Sequence, residues 1–216
     1  MNLQDLNKII HSNLRTASLI KNNLSDELLI IEKKNIGLTG KLKSVKLINT
    51  PIDSCWIFEH EDSNKELRAE AKKVEKSILL LREDKKELNI ILIEMKSTFR
   101  NEHLIDCVDK TNCSLSYLTI FLATNNHMLE KYKNYKIKFR LVVFCNNEVI
   151  NNTNPTISEN ICQSFLEYRN GNTDKFKVEI ISPNLGYKII PAICIHENTE
   201  ENIEMDFNNL LIQLGL

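Results

Sequence analysis

Leu88-Asn-Ile-Ile-Leu-Ile-Glu-Met-Lys96 is a near-continuous apolar run, which predicts a central strand buried on both faces. Upstream, Val74 to Arg82 carries Ile78-Leu79-Leu80-Leu81 and predicts a second strand, with the polar Glu83-Asp-Lys-Lys-Glu87 as the turn between the two. Downstream, Leu104, Val108, Thr111, Leu115, Leu118 and Leu122 recur at steps of four and three, which predicts a helix over 101–123 lying on that sheet. Ile137 to Cys145 is the next strand, and the order strand, helix, strand implies a parallel, right-handed crossover.

The flanks are less regular. Leu3, Leu6, Ile10, Leu14 and Ala17 have helical spacing, and a second helix start is expected at Ser25, where Asp26 and Glu27 suit a first turn. Gly37 and Gly40 break that pattern. Lys41 to Asn49 and Ser54 to His60 read as two short strands joined around Thr50-Pro51, and Ser63 with Glu66 forms a capping-box pattern for a helix to about Lys72. Beyond a polar loop over 146–156, a helix is expected over Ser158 to Arg169 and strands over Phe176 to Ile181 and Lys188 to His196. A closing helix from Glu200 to Leu214 is read through Ile203, Phe207, Leu210 and Leu214. The fold class expected is α/β, a mixed sheet flanked by helices, in one domain over 1–216. Its core spans about 40–145, and the extension over about 146–216 has too few elements for a core of its own.

Composition narrows the functional classes. With 42% apolar and 26% charged residues the 216-residue chain has the make-up of an ordinary globular protein, and no apolar run reaches the roughly 18 residues of a membrane-spanning helix. The opening Met1-Asn-Leu-Gln-Asp5 has no basic segment followed by an apolar one, so a cytoplasmic location without membrane attachment is expected. Six cysteines show no Cys-x-x-Cys pair, and the histidines at 11, 60, 103, 127 and 196 are scattered singly, so neither a disulfide framework nor a zinc site is indicated. Lys and Arg number 28 against 29 Asp and Glu, which removes the basic signature of a protein that coats nucleic acid but leaves room for a local cleft. Gly37-Leu-Thr-Gly-Lys41 lacks the first glycine and the Ser or Thr of a phosphate loop and is set aside.

Candidate chemistry lies in Glu94-Met95-Lys96. Side chains alternate along a strand, so Glu94 and Lys96 share one face and Met95 takes the other. Neither charge belongs in a dry core. A strand fraying into water would carry two such solvated charges without function. A second acid alters the balance: if 74–82 pairs antiparallel with 88–96, Glu75 at the start of the first strand falls close to Glu94 near the end of the second. Two carboxylates and a backbone carbonyl suit Mg²⁺, and an adjacent lysine can orient or deprotonate a water, which is equipment for phosphodiester hydrolysis.

Lys72-Lys-Val-Glu-Lys-Ser-Ile-Leu-Leu-Leu and Ile90-Ile-Leu-Ile-Glu-Met-Lys-Ser97, with the helix from 101 and the strand from 137, resemble the hairpin and following elements of the PD-(D/E)XK nuclease superfamily. The resemblance covers about 72–145 and implies a restriction-endonuclease-like fold. It implies Glu94 and Lys96 in the Glu-x-Lys positions, with Glu75, Glu94 and the backbone carbonyl of Met95 as ligands of Mg²⁺ or Mn²⁺. Asp53 in Pro51-Ile-Asp is a rival first acid, closer to the motif's letters but 41 residues before Glu94. The superfamily usually has Asp where Glu75 stands.

On the helix, Asp106 and Lys110 have the spacing of an exposed ion pair; alternatively Lys110 or Ser114 leans toward the strand and touches a scissile phosphate. Glu27 or Glu32 could add an acid from the opening helix, although a solvated helix face explains them as well. His103 is the histidine nearest the proposed site in sequence and is considered for contact with substrate. Two functions follow. One is a metal-dependent nuclease, for which the resemblance implies DNA more often than RNA and restriction, repair, mobile-element or anti-phage roles, and whose weak overall charge calls for a homodimer or a protein partner. The other is a non-catalytic module of the same fold that binds a protein partner.

Overall fold

The computed structural model describes residues 20–22, 25–32, 41–60, 73–123, 134–149, 175–182, 185–196 and 201–216. The helices expected before Ala17, over 63–72 and over 158–169 lie outside them, as do 150–156 of the expected loop. The strands are β1 (Ile20–Asn22), β2 (Leu28–Ile31), β3 (Ser44–Ile48), β4 (Cys55–Glu59), β5 (Lys76–Arg82), β6 (Glu87–Arg100), β7 (Lys136–Val149), β8 (Lys175–Ser182), β9 (Gly186–His196) and β10 (Asn202–Asp206). Two helices accompany them among the described residues, α1 (Asn101–Ala123) and α2 (Phe207–Gln213). The protein is mixed α/β, built on two mixed sheets.

The larger sheet has the order β1-β4-β5-β6-β7-β9-β8, and the smaller has β10-β3-β2. In the larger one β4, β5 and β6 form an antiparallel meander. The chain then crosses through α1 to β7, which runs parallel to β6, and β9 runs parallel to β7. The expected parallel connection through a helix is therefore present, and the tight turn over 83–86 is closed with Lys86 at φ 51°. The strand pair around Thr50-Pro51 is also present, but its members separate: β3 belongs to the small sheet and β4 to the large one.

Period-two alternation on β6 divides the core into two layers. Leu88, Ile90 and Leu92 join Leu79, Leu141, Val143 and the buried Leu115 and Leu118 of α1. Ile91, Ile93 and Met95 face the other way, toward Val45, Leu47, Ile203, Phe207 and Leu210 of the small sheet and α2. The large sheet is thus covered by α1 on one face and by the small sheet with α2 on the other. Buried on both sides, its central strands read as continuous apolar runs.

Two expectations are corrected. Ser25 does not start a helix: its hydroxyl accepts from the Glu27 amide at 3.2 Å and donates to the Glu27 carbonyl at 2.7 Å, a local turn that leads into β2. Leu28 and Ile30 are buried while Leu29 and Ile31 are exposed, the alternation of a half-buried strand. The closing helix over 200–214 is also shorter than its spacing implied. Asn202–Asp206 pairs in parallel with β3, and only then does Asp206 cap α2 by accepting from the Asn209 amide at 3.0 Å. The C-terminal segment therefore contributes to both sheets, through β8 and β9 in the larger and β10 in the smaller. Among the described residues no helix is long and apolar enough to cross a membrane.

Candidate functional site

β6 does not fray after Lys96. It continues to Arg100, and α1 begins at the next residue and folds back over the α1 face of the sheet. Helix residues four apart are thereby laid above strand residues two apart. Lys96 Nζ lies 3.0 Å from Glu94 Oε1 and 2.9 Å from Asp106 Oδ2, and Lys110 Nζ lies 2.6 Å from the same Glu94 oxygen. Asp106 and Lys110 are thus not a solvated pair: their side chains are 19% and 15% exposed and both are used toward β6. Glu94 itself is fully buried, and its Oε2 has no hydrogen-bond partner among the described residues.

Hairpin register brings in the first acid. Lys76 pairs with Ile93, and just before it the Glu75 amide donates to the Ile93 carbonyl at 3.0 Å, which sets Glu75 beside Glu94. Its Oε1 lies 3.9 Å from Lys110 Nζ. The segment is fixed from above as well, because the Val74 amide donates to Ser114 Oγ of α1 at 3.0 Å. Ser114 is fully buried, so its hydroxyl holds the backbone that carries Glu75 and is not presented to a substrate.

Asp53 is not brought to this place. It lies in the short turn before β4, where Cys55 pairs with Leu80 and Leu80 with Asn89. That level is five residues along β6 from Glu94, roughly 17 Å at the rise of a strand. Register therefore sets Glu75, and not Asp53, next to Glu94.

A further acid joins from the small sheet. Glu32 follows β2, held by its amide on the Lys43 carbonyl at 2.9 Å, and comes within hydrogen-bonding reach of Glu75. The expectation that Glu32 belonged to a helix was wrong, but the residue does reach the acidic group. Burial, then Glu94, then Glu32 push the Glu75 carboxyl up to about 8, against the opposing pull of Lys110. Lys96 goes the other way: burial alone would lower its pKa, but Glu94 and Asp106 outweigh it and hold Lys96 firmly as an ammonium. Met95 packs into the opposite core layer, as alternation requires, leaving its backbone between the two functional side chains.

Cysteine chemistry is disfavoured here. Cys107 is buried on α1 beneath the charged group, and burial with the nearby Glu94 raises its thiol far out of the nucleophilic range. The described cysteines are free thiols, and Cys145 Sγ and Cys194 Sγ share a hydrogen bond at 3.3 Å across β7 and β9. His60 is buried against Ser77 at 2.6 Å, and His103 lies in the first turns of α1.

Mg²⁺ or Mn²⁺ fits the donor chemistry. Glu94 offers a buried carboxylate oxygen without a partner, the acids outnumber the two lysines, and Mg²⁺ needs only one or two protein carboxylates beside its waters. Among the described residues, however, no three His, Cys, Asp or Glu side chains are already gathered around one point. The site as it stands is a cluster of carboxylates, Glu75, Glu94 and Asp106 with Glu32 beside them, bridged by the ammonium groups of Lys96 and Lys110. Comparison of the chain with protein-family models, with curated proteins and with solved structures returned no match, so the chemistry of this site is argued from its own residues.

Proposed function

We propose that the protein is a metal-dependent phosphodiesterase acting on nucleic acid, DNA in preference to RNA, built on a restriction-endonuclease-like core of β4, β5, β6, α1 and β7. The observation that carries the reading is the meeting of Glu75, Glu94 and Lys96 on one face of the β5–β6 hairpin, with Glu94 buried and one of its oxygens unpartnered. A buried carboxylate costs several kcal/mol of desolvation, and an apolar side chain at this position of a central strand would be the stabilising choice. Its retention there points to chemistry.

In this reading Glu75, Glu94 and the Met95 carbonyl hold Mg²⁺ or Mn²⁺. When bound, such a cation would supply Lewis-acid activation of water at neutral pH and charge neutralisation at the phosphate. Lys96, kept cationic by two carboxylates, donates hydrogen bonds to the attacking water and to the phosphoryl oxygen on which charge develops. Asp106 aims the Lys96 ammonium by fixing it from the helix side. Ser114 positions Glu75 through the Val74 amide.

The pairing of Glu94 with two lysines favours a second reading, a nuclease-like module that has lost catalysis and serves a protein partner. Both lysines converge on Glu94 Oε1, as they would in a purely structural ion cluster. Cleavage assays separate the two. Plasmid, linear and single-stranded DNA, and RNA, are incubated with Mg²⁺ or Mn²⁺ and wild type, Glu94→Ala or Lys96→Ala. The nuclease reading expects cation-dependent cutting that both substitutions abolish while circular dichroism remains native. Cutting that survives Glu94→Ala assigns the chemistry elsewhere.

A further inference from the structure

We propose that the Lys110 ammonium is the resting counter-ion of the acidic centre, placed where a divalent cation binds, so that cation entry displaces the Lys110 side chain from Glu94. The inference rests on the metal-centre reading above and concerns how that centre is controlled. Lys110 Nζ is 2.6 Å from Glu94 Oε1 and 3.9 Å from Glu75 Oε1, and so bridges the two carboxylates assigned to the cation. A divalent ion held by both carboxylates would take the place that Lys110 Nζ fills between them, so ammonium and divalent ion exclude one another.

Lys110 is the dispensable one of the two lysines. Lys96 already contacts Glu94 at 3.0 Å and is itself tied to Asp106 at 2.9 Å, whereas among the described residues the second carboxylate on Lys110 is Glu75 at 3.9 Å. Its side chain is 15% exposed beside the fully enclosed Glu94. Its unbranched stem can carry the ammonium outward without moving α1. A polyanionic substrate that takes up the released ammonium then favours cation entry, and by linkage the cation favours the substrate.

Two measurements on the full chain test this. In calorimetric titration with Mn²⁺, Lys110→Met is expected to bind at least tenfold more tightly than wild type, and Glu94→Gln to lose binding. Lys110→Gln, which keeps a hydrogen-bond donor, serves should the Met variant fail to fold. In wild type, acetic anhydride labelling read by peptide mass spectrometry is expected to modify Lys110 several-fold faster in saturating Mg²⁺ than without it. Mn²⁺ binding that is no tighter in either Lys110 variant, or Lys110 labelling indifferent to Mg²⁺, overturns the counter-ion role; if wild type still binds and Glu94→Gln does not, the metal centre stands. Absence of Mn²⁺ binding in wild type and in both Lys110 variants overturns the metal centre and this inference together.

Discussion

Ser114→Ala tests whether α1 fixes the strand start that carries Glu75. The substitution removes the oxygen that accepts the Val74 amide at 3.0 Å, and both residues are essentially inaccessible to water. An orphaned buried N–H costs about 1–3 kcal/mol, with little added cavity because only one atom is lost. For a chain of this size each kcal/mol lowers the melting temperature by about 2–4 °C, so a drop of about 2–12 °C is expected. Thermal unfolding followed by far-ultraviolet circular dichroism measures it, and Mn²⁺ titration of the folded variant is expected to weaken as Glu75 loses its anchor. Thr119→Ala on the same helix is the control, since that hydroxyl donates only to the Leu115 carbonyl one turn back at 2.7 Å, and it should change stability by less than about 0.5 kcal/mol. A Ser114→Ala melting point within 1 °C of wild type, or equal losses in both variants, would refute the anchoring argument.

Two other expectations concern the frame around the site. Burial, with some help from Lys73, lowers the His60 pKa to about 3, so the folded protein keeps this imidazole neutral while the unfolded chain takes up a proton below pH 6.5. Its contribution is therefore complete above about pH 6.5 and is lost as the pH falls toward 3; urea unfolding at pH 7.5 and 4 should show His60→Gln losing about 3 kcal/mol less than wild type on acidification, and equal losses would contradict this. Leu210 is fully buried between α2 and the large sheet, so Leu210→Ala should cost about 2–5 kcal/mol in the same assay, whereas a cost below about 1 kcal/mol would mean that the C-terminal segment is not part of the core.

What could be read from the sequence divides along physical lines. The β5–β6 hairpin, α1 and β7 were legible because each has one strong period, and the turn over 83–86 fixes a register that carries Glu75 to Glu94. The stretches at 25–32 and 202–206 were misread because a few apolar residues satisfy both periods. Their strand identity comes from pairing with β3, a contact remote in sequence. The same limit applied at the site. Glu75, Glu94 and Lys96 follow from local pairing, but nothing in the spacing of Asp106 and Lys110 reveals that β6 runs on to Arg100 and turns directly into a helix that folds back over Glu94. Glu32 was one of two acids considered, and it is the pairing of β2 with β3 that singles it out. Ser114 carried no sequence signal for its role, because its partner is a backbone amide.

The central claim is that Glu75 and Glu94 act together beside Lys96, and the most direct measurement is the initial rate of Mg²⁺-dependent DNA cleavage in Glu75→Gln set against Asp53→Asn. The account expects Glu75→Gln to fall at least a hundredfold and Asp53→Asn to stay within about twofold of wild type, a difference of about 3 kcal/mol in transition-state stabilisation. Loss in Asp53→Asn with activity retained in Glu75→Gln, or no Mg²⁺-dependent cleavage by the folded wild type, would contradict it.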